Sequence, residues 1–388
     1  AVDFDAQKIK GQATWKLEAK SGVDKAIFDT YQVQIDSVLY ADGSHANYKL
    51  GKHDSVLGSA LEVDLNDNKE LQIYYETTDK ATALLWLTPE QTFGKKDPYM
   101  FTQGEPINTR SWIPSPDSPG SRFTYDAKVQ VPEGLLAIMS AENPQEKSAD
   151  GIYTFNMEQK IPAYLIALAV GDIEFKAVDH RTGVYSEPFI LDKAHKELDG
   201  IGEMVNIAEG LYGDYRWDRF DVLILPSGFP MGGMENPRLT FATPTILAGD
   251  KTLLNLIAHE LAHSWSGNLV TGATWDDLWL NEGFTVYIER RITEAEHGAE
   301  YTAMLWDLAE KKVDDAIRRA GDDKRSTWVN LDLKGKDPDL AFTRIPYDKG
   351  SALLLLIEQT VGRETMDNFL RTYFDTHAFE TMHTARFL

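Results

Sequence analysis

Two histidines four residues apart, His259 and His263, with Glu260 between them and Glu282 after 18 further residues, constrain this chain more than anything else in it. On a helix, positions i and i+4 sit one above the other, so both imidazoles can face one ion while Glu260 is turned about 100° aside. Glu282 lies in Trp279-Leu280-Asn281-Glu282-Gly283, where a second helix is expected to begin. Two imidazoles and a carboxylate leave a fourth tetrahedral position open for water, the pattern of a catalytic rather than a structural zinc site, with one Zn2+ per chain. The preceding residues 252–258 are apolar and helix-compatible. The motif is therefore expected on a largely buried helix, where His and Glu without partners would be costly. The other seven histidines, His45, His53, His180, His195, His297, His377 and His383, are scattered singly and read as surface or hydrogen-bonded side chains.

With 388 residues, 43% of them hydrophobic, the chain can bury more than one core, so two or three domains are expected. Its 39 basic against 61 acidic residues give a net charge of −22. That field repels nucleic acid and anionic lipid and suits cationic ligands such as a free amino terminus. Cysteine is absent, which excludes disulfides, thiol chemistry and cysteine-ligated metal. No apolar run approaches 18 residues, so membrane insertion is not expected. The start, Ala1-Val2-Asp3-Phe4-Asp5, has no signal-like pattern, which points to the cytoplasm; the missing initiator Met suggests processing or trimming and leaves an exported or periplasmic location open.

Alternation of apolar and polar residues marks strands at 31–39, 71–75, 123–131 and 163–170, separated by turn clusters at 42–44 and 115–120. Residues 1–171 are thus expected to form a β-sandwich-like domain. Residues 172–388 read as a mostly helical α+β domain: helix near 192–212, strand at 220–225, the two motif helices, then helices near 301–320 and 350–361. Residues 332–339 read as a loop, and the stripe at 353–357 as core.

Between the strand at 220–225 and the motif lies Pro230-Met231-Gly232-Gly233-Met234-Glu235-Asn236-Pro237. Paired glycines let a backbone approach a ligand closely, and a carboxylate two residues on can hold a cation. The GGMEN run upstream of the His-Glu-x-x-His motif resembles the gluzincin aminopeptidases of the membrane alanyl aminopeptidase family. Residues 259–271 and 279–287 resemble its leukotriene hydrolase subfamily most, and so do 84–92, 101–105 and 344–350. The resemblance implies a β domain followed by a thermolysin-like catalytic domain, and beyond these a helical C-terminal domain that the 388 residues do not include.

By the same resemblance His259, His263 and Glu282 are zinc ligands, Glu260 is the general base, and Tyr347 donates to the oxyanion. Glu235, helped by Gln103 and Glu105, would bind the substrate ammonium. Gly232 and Gly233 would lie along the substrate backbone, and Met231 and Met234 would shape the first side-chain pocket. The implied substrates are short peptides with a free amino terminus. Two readings compete. Asp339 matches an acid implicated in epoxide opening, but Glu105 replaces the subfamily's usual amide, and Phe342 and Met231 replace tyrosines of the vertebrate epoxide hydrolases, which favours peptidase chemistry. A poorly active peptide-binding fragment is the other alternative.

Overall fold

The computed structural model describes residues 1–18 and 22–388. Its N-terminal part is built from sheets whose strands alternate as the sequence does. A four-stranded sheet takes the order Val2–Asp3, Lys8–Lys16, Glu70–Glu76, Gln34–Tyr40, and a three-stranded one the order Lys25–Thr30, Ser59–Asp64, Tyr48–Leu50. Burial alternates residue by residue along Ser59–Asp64 and Glu70–Glu76. The inward residues Phe28, Val38, Leu61, Val63, Leu71 and Ile73 form a small core of their own. This is the expected sandwich-like arrangement, each sheet burying one face.

A further sheet, Leu136–Met139, Leu168–Gly171, Tyr99–Thr102, Leu84–Leu87, is buried along nearly its whole length. It belongs to a second, larger core that continues into the helical part as far as Leu370 and Phe374. Beside it a long antiparallel ribbon pairs Arg122–Gln130 with Ile152–Pro162.

The C-terminal part begins with a five-stranded mixed sheet in the order Glu174–Ala177, Thr182–Ser186, Phe220–Ile224, Thr240–Ala242, Gly233–Met234. Its last strand runs antiparallel to its neighbour. Helices follow: α1 (Pro188–Glu197), α2 (Ile201–Tyr212), α3 (Asn255–Ala262), α4 (Leu278–His297), α5 (Ala299–Ala320), α6 (Gly350–Val361) and α7 (Arg363–Thr376). Helix α4 is buried from Leu278 to Thr293 and is the axis on which α3 and α6 pack. A Cβ on Gly283 would stand 2.9 Å from the Gly350 backbone, so α4 and the start of α6 meet main chain to main chain. Among the described residues no helix is long and apolar enough to cross a membrane.

Three expectations need correction. The strand expected at 163–170 is a 3-10 turn, Ala163–Leu165, followed by the strand Leu168–Gly171. The Ala163 carbonyl accepts from Thr109 Oγ1, and a Cβ on Gly104 would lie 2.5 Å from the Tyr164 carbonyl oxygen; the 104–109 turn occupies the space a neighbouring strand would need. The helix expected at 192–212 is two helices, broken at Leu198–Gly200, and α7 lies beyond the helices the periodicity marks. In the stripe at 353–357, Leu354 is fully buried but Leu356 is 58% exposed, because five consecutive apolar residues on a helix cover every face and α4 takes only one.

Candidate active site

Helix α3 carries His259 and Glu260, and His263 caps its C-terminal end. Glu282 comes from the first turn and a half of α4. The Nε2 atoms of His259 and His263 each stand 3.5 Å from Glu282 Oε2, and the three ligand atoms all lie within 4.8 Å of one another. A tetrahedral ion with bonds of about 2.0–2.2 Å spaces its ligands about 3.3–3.6 Å apart. Glu282 Oε2 is buried without a hydrogen-bond partner, which a shared cation would supply. The residues therefore fit a three-ligand metal site with one open position.

Each imidazole is oriented from behind. His259 Nδ1 lies 3.1 Å from Glu289 Oε2, and His263 Nδ1 lies 3.0 Å from the Ser266 carbonyl and 3.1 Å from Thr285 Oγ1. Such partners fix the tautomer so that Nε2 presents its lone pair. Ser266 Oγ in turn donates to the carbonyls of Leu280 and Asn281 at 2.9 and 2.7 Å, which ties the end of α3 to the start of α4. Glu289 escaped the sequence reading. It stands seven residues after Glu282, two turns along the same face of α4, and that spacing was the available signal.

The edge strand Gly233–Met234 lies against α3, and a Cβ on Gly233 would come within 2.1 Å of Glu260 Oε1. Strand alternation then sends Glu235 into the cleft and Met234 away from it. Met234 is buried, and its sulfur accepts from Gln103 Nε2 at 3.1 Å. Neither residue is among those that border the open cleft, and Gln103 Oε1 is buried without a partner. Met231, Gly232, Gly233, Glu235 and Glu105 do line it, together with the metal triad, Glu260 and Tyr347. The cleft measures about 950 Å³ and extends past Val286, Leu305, Leu308 and Phe342. Asp339 is exposed and absent from its walls.

Electrostatically the cleft is crowded with acid. Burial pushes Glu235 up to about 7. Burial, reinforced by the neighbouring carboxylates, lifts Glu105 well above the usual range; burial does the same to Glu260, where the His259 imidazole opposes it. Burial would lower His259, but the Glu282 and Glu289 carboxylates beside it hold it well above the ordinary imidazole range, whereas burial takes His263 down to about 4. Glu105 Oε1, Glu235 Oε1 and Gln103 Oε1 are buried without partners. Such a site lacks positive charge, and two cations, one at the triad and one beside Glu235 and Glu105, would relieve it.

Tyr347 sits on a single π-helical turn, Ile345–Lys349, that leads into α6. Its ring lies parallel to that of His259 at 6.3 Å. Burial, then the Glu282, Glu105 and Glu235 carboxylates, push its phenol well above the ordinary range, so it stays a hydrogen-bond donor.

A helix-borne triad with a carboxylate beside it, facing a glycine-rich edge strand, defines a metallopeptidase-like hydrolase architecture. The chain belongs to peptidase family M1: residues 1–165 match the peptidase M1 N-terminal domain and residues 196–388 the peptidase family M1 domain. Leucine aminopeptidase 2 of Yarrowia lipolytica is 40% identical over 400 residues, covering 100% of this chain and 61% of that protein. A leukotriene A-4 hydrolase homolog of Botryotinia fuckeliana is 40% identical over 394 residues, covering 97% and 61%. The structure of native yeast LTA4 hydrolase matches with a TM-score of 0.94 at 38% identity, covering 100% of this chain and 62% of that one. The chain thus spans about three fifths of the length of these relatives.

Proposed function

We propose that this chain carries the machinery of a zinc aminopeptidase, with His259, His263 and Glu282 as ligands and short peptides with a free amino terminus as substrates. The observation that carries the reading is the pair of buried, unpartnered carboxylates Glu235 and Glu105 in the cleft that holds the triad. Their charge is compensated by a substrate ammonium, and a continuing chain would leave them buried and unpaired. Fixing the amine at set reach from the metal leaves only the first peptide bond in register.

When bound, zinc supplies a water acidified towards about 7 and polarises the scissile carbonyl. Glu260 accepts the proton of the attacking water and passes it to the leaving amine. Tyr347 donates its hydroxyl hydrogen where negative charge develops on the carbonyl oxygen. Gly232 and Gly233 let the substrate backbone lie along the edge strand, and Met231 borders the first side chain. The names of the aminopeptidase relatives support this reading. We place the division between the two domains at residues 171 and 172, between the buried strand Leu168–Gly171 and the mixed sheet that starts at Glu174.

Hydrolysis of aminoacyl anilides with free and acetylated amines, before and after chelation, tests the proposal. Acetylation removes both charge-assisted hydrogen bonds of the ammonium at once and should lower kcat/KM by at least about 100-fold, and chelation should remove turnover. Equal cleavage of both substrates, or cleavage at internal bonds, would overturn it.

A further inference from the structure

Behind Glu235 a series of polar contacts leads out of the catalytic part and into the N-terminal ribbon. The edge strand ends at Met234, so the Glu235 carbonyl has no partner in the sheet. It accepts instead from Asn268 Nδ2 at 2.7 Å, and Asn268 is 1% exposed. The Asn268 main-chain carbonyl accepts from Arg122 Nη2 at 2.6 Å, and the same nitrogen donates to the Lys160 carbonyl, also at 2.6 Å. Arg122 Nη1 donates to Thr271 Oγ1, which itself donates to the Gly267 carbonyl at 2.6 Å. Arg122 and Lys160 belong to the two paired strands of the ribbon.

Among the described residues no carboxylate stands within ion-pair distance of Arg122. Its guanidinium is directed at three neutral oxygens, two of them in the turn that follows α3. Desolvation brings it down to about 10 and its Nε is buried without a partner, a cost set against the hydrogen bonds of its two terminal nitrogens. A fork of fixed donors suits the clamping of a turn better than the neutralising of a charge.

We propose that Arg122 and Asn268 are positioning residues for the amine anchor: the ribbon holds the 267–271 turn, the turn holds the Glu235 carbonyl, and that grip sets where the Glu235 carboxylate enters the cleft. The inference rests on the aminopeptidase reading of Glu235. It assigns to the N-terminal half a part in substrate selection beyond the residues that line the cleft. Released from Asn268, Glu235 follows a strand of only two paired residues and two glycines, and its carboxylate loses its aim while the metal triad keeps its own supports.

Two competitive hydroxamates separate this from general loosening: an amino-acid hydroxamate and its counterpart without the amine, assayed on zinc-loaded protein with metal content and Tm recorded. In Asn268→Ala the inhibition constant of the amine-bearing compound should rise about tenfold while the other moves by less than about twofold, since one buried hydrogen bond behind the anchor is removed. Arg122→Lys, which keeps the charge but not the fork, should show the same selectivity to a smaller extent and serves if Asn268→Ala does not fold. Inhibition constants that shift in parallel for both compounds, or not at all, would overturn the inference. If the unmodified protein binds both hydroxamates equally, the amine-anchor reading itself fails, and this inference with it.

Discussion

The two ends of the cleft are built differently. At the metal end, two ligands come from one helix and the third from the next, and each imidazole has its back held by Glu289 or by Ser266 and Thr285. The unpartnered atom there, Glu282 Oε2, faces the two Nε2 atoms. At the amine end, Glu105 arrives from the N-terminal half, Glu235 from the sheet edge and Asn268 from the turn after α3, and two carboxylate oxygens are buried without partners. The chain orients both imidazoles of the first end by itself and leaves one oxygen there for a cation, whereas at the second it leaves two oxygens for a ligand. A buried orphan oxygen costs about 1–3 kcal/mol, more when charged, so the amine end stores a penalty that an arriving ammonium removes.

The comparison breaks most sharply if the metal end is not what holds the ion. His263→Ala should lose stoichiometric metal and turnover together, whereas Glu235→Ala should keep the metal; metal analysis of both variants decides it. Next in size, Glu260→Gln should retain the metal and lower kcat by about 10²- to 10⁴-fold, the usual contribution of a general base. Tyr347→Phe should lower kcat by about 10²- to 10³-fold with little change in KM, since its donor acts on the transition state; a pure KM effect would move Tyr347 into ground-state binding. Glu289→Gln should weaken metal affinity by about 10- to 100-fold in a competition titration, as removal of an orienting carboxylate does elsewhere.

The smallest effect sharpens the amine end. In metal-free protein Glu235 is pushed up to about 7, and only its ionised form holds an ammonium. An acid with a raised value is protonated as pH falls through it, so affinity for an amine-bearing ligand should fall by up to about tenfold per pH unit below 7 and level off above it. Calorimetry across that range should show a steeper slope in the unmodified protein than in Glu235→Gln, where Glu105 alone still titrates.

The candidate metal triad was legible because its information is local: i, i+4 spacing puts His259 and His263 on one face of any helix, and Glu282 needed only a second helix beside it. Strand alternation likewise announced the N-terminal sheets. Residues 163–165 misled because apolar composition is the same for a buried turn and a buried strand, and only the 104–109 turn packed against them decides between the two. The stripe at 353–357 misled for a related reason, since its composition does not say how many faces of α6 are covered.

For the site, the amino-acid sequence by itself determined which side chains could bind a metal and activate water, because those roles follow from residue type and helical period. Tertiary structure alone brought Gln103 Nε2 onto the Met234 sulfur, left Asp339 exposed, and set Asn268 on the Glu235 carbonyl and Arg122 on the Asn268 carbonyl. Those placements depend on strand faces and on the packing of segments more than 100 residues apart, and no local period encodes them.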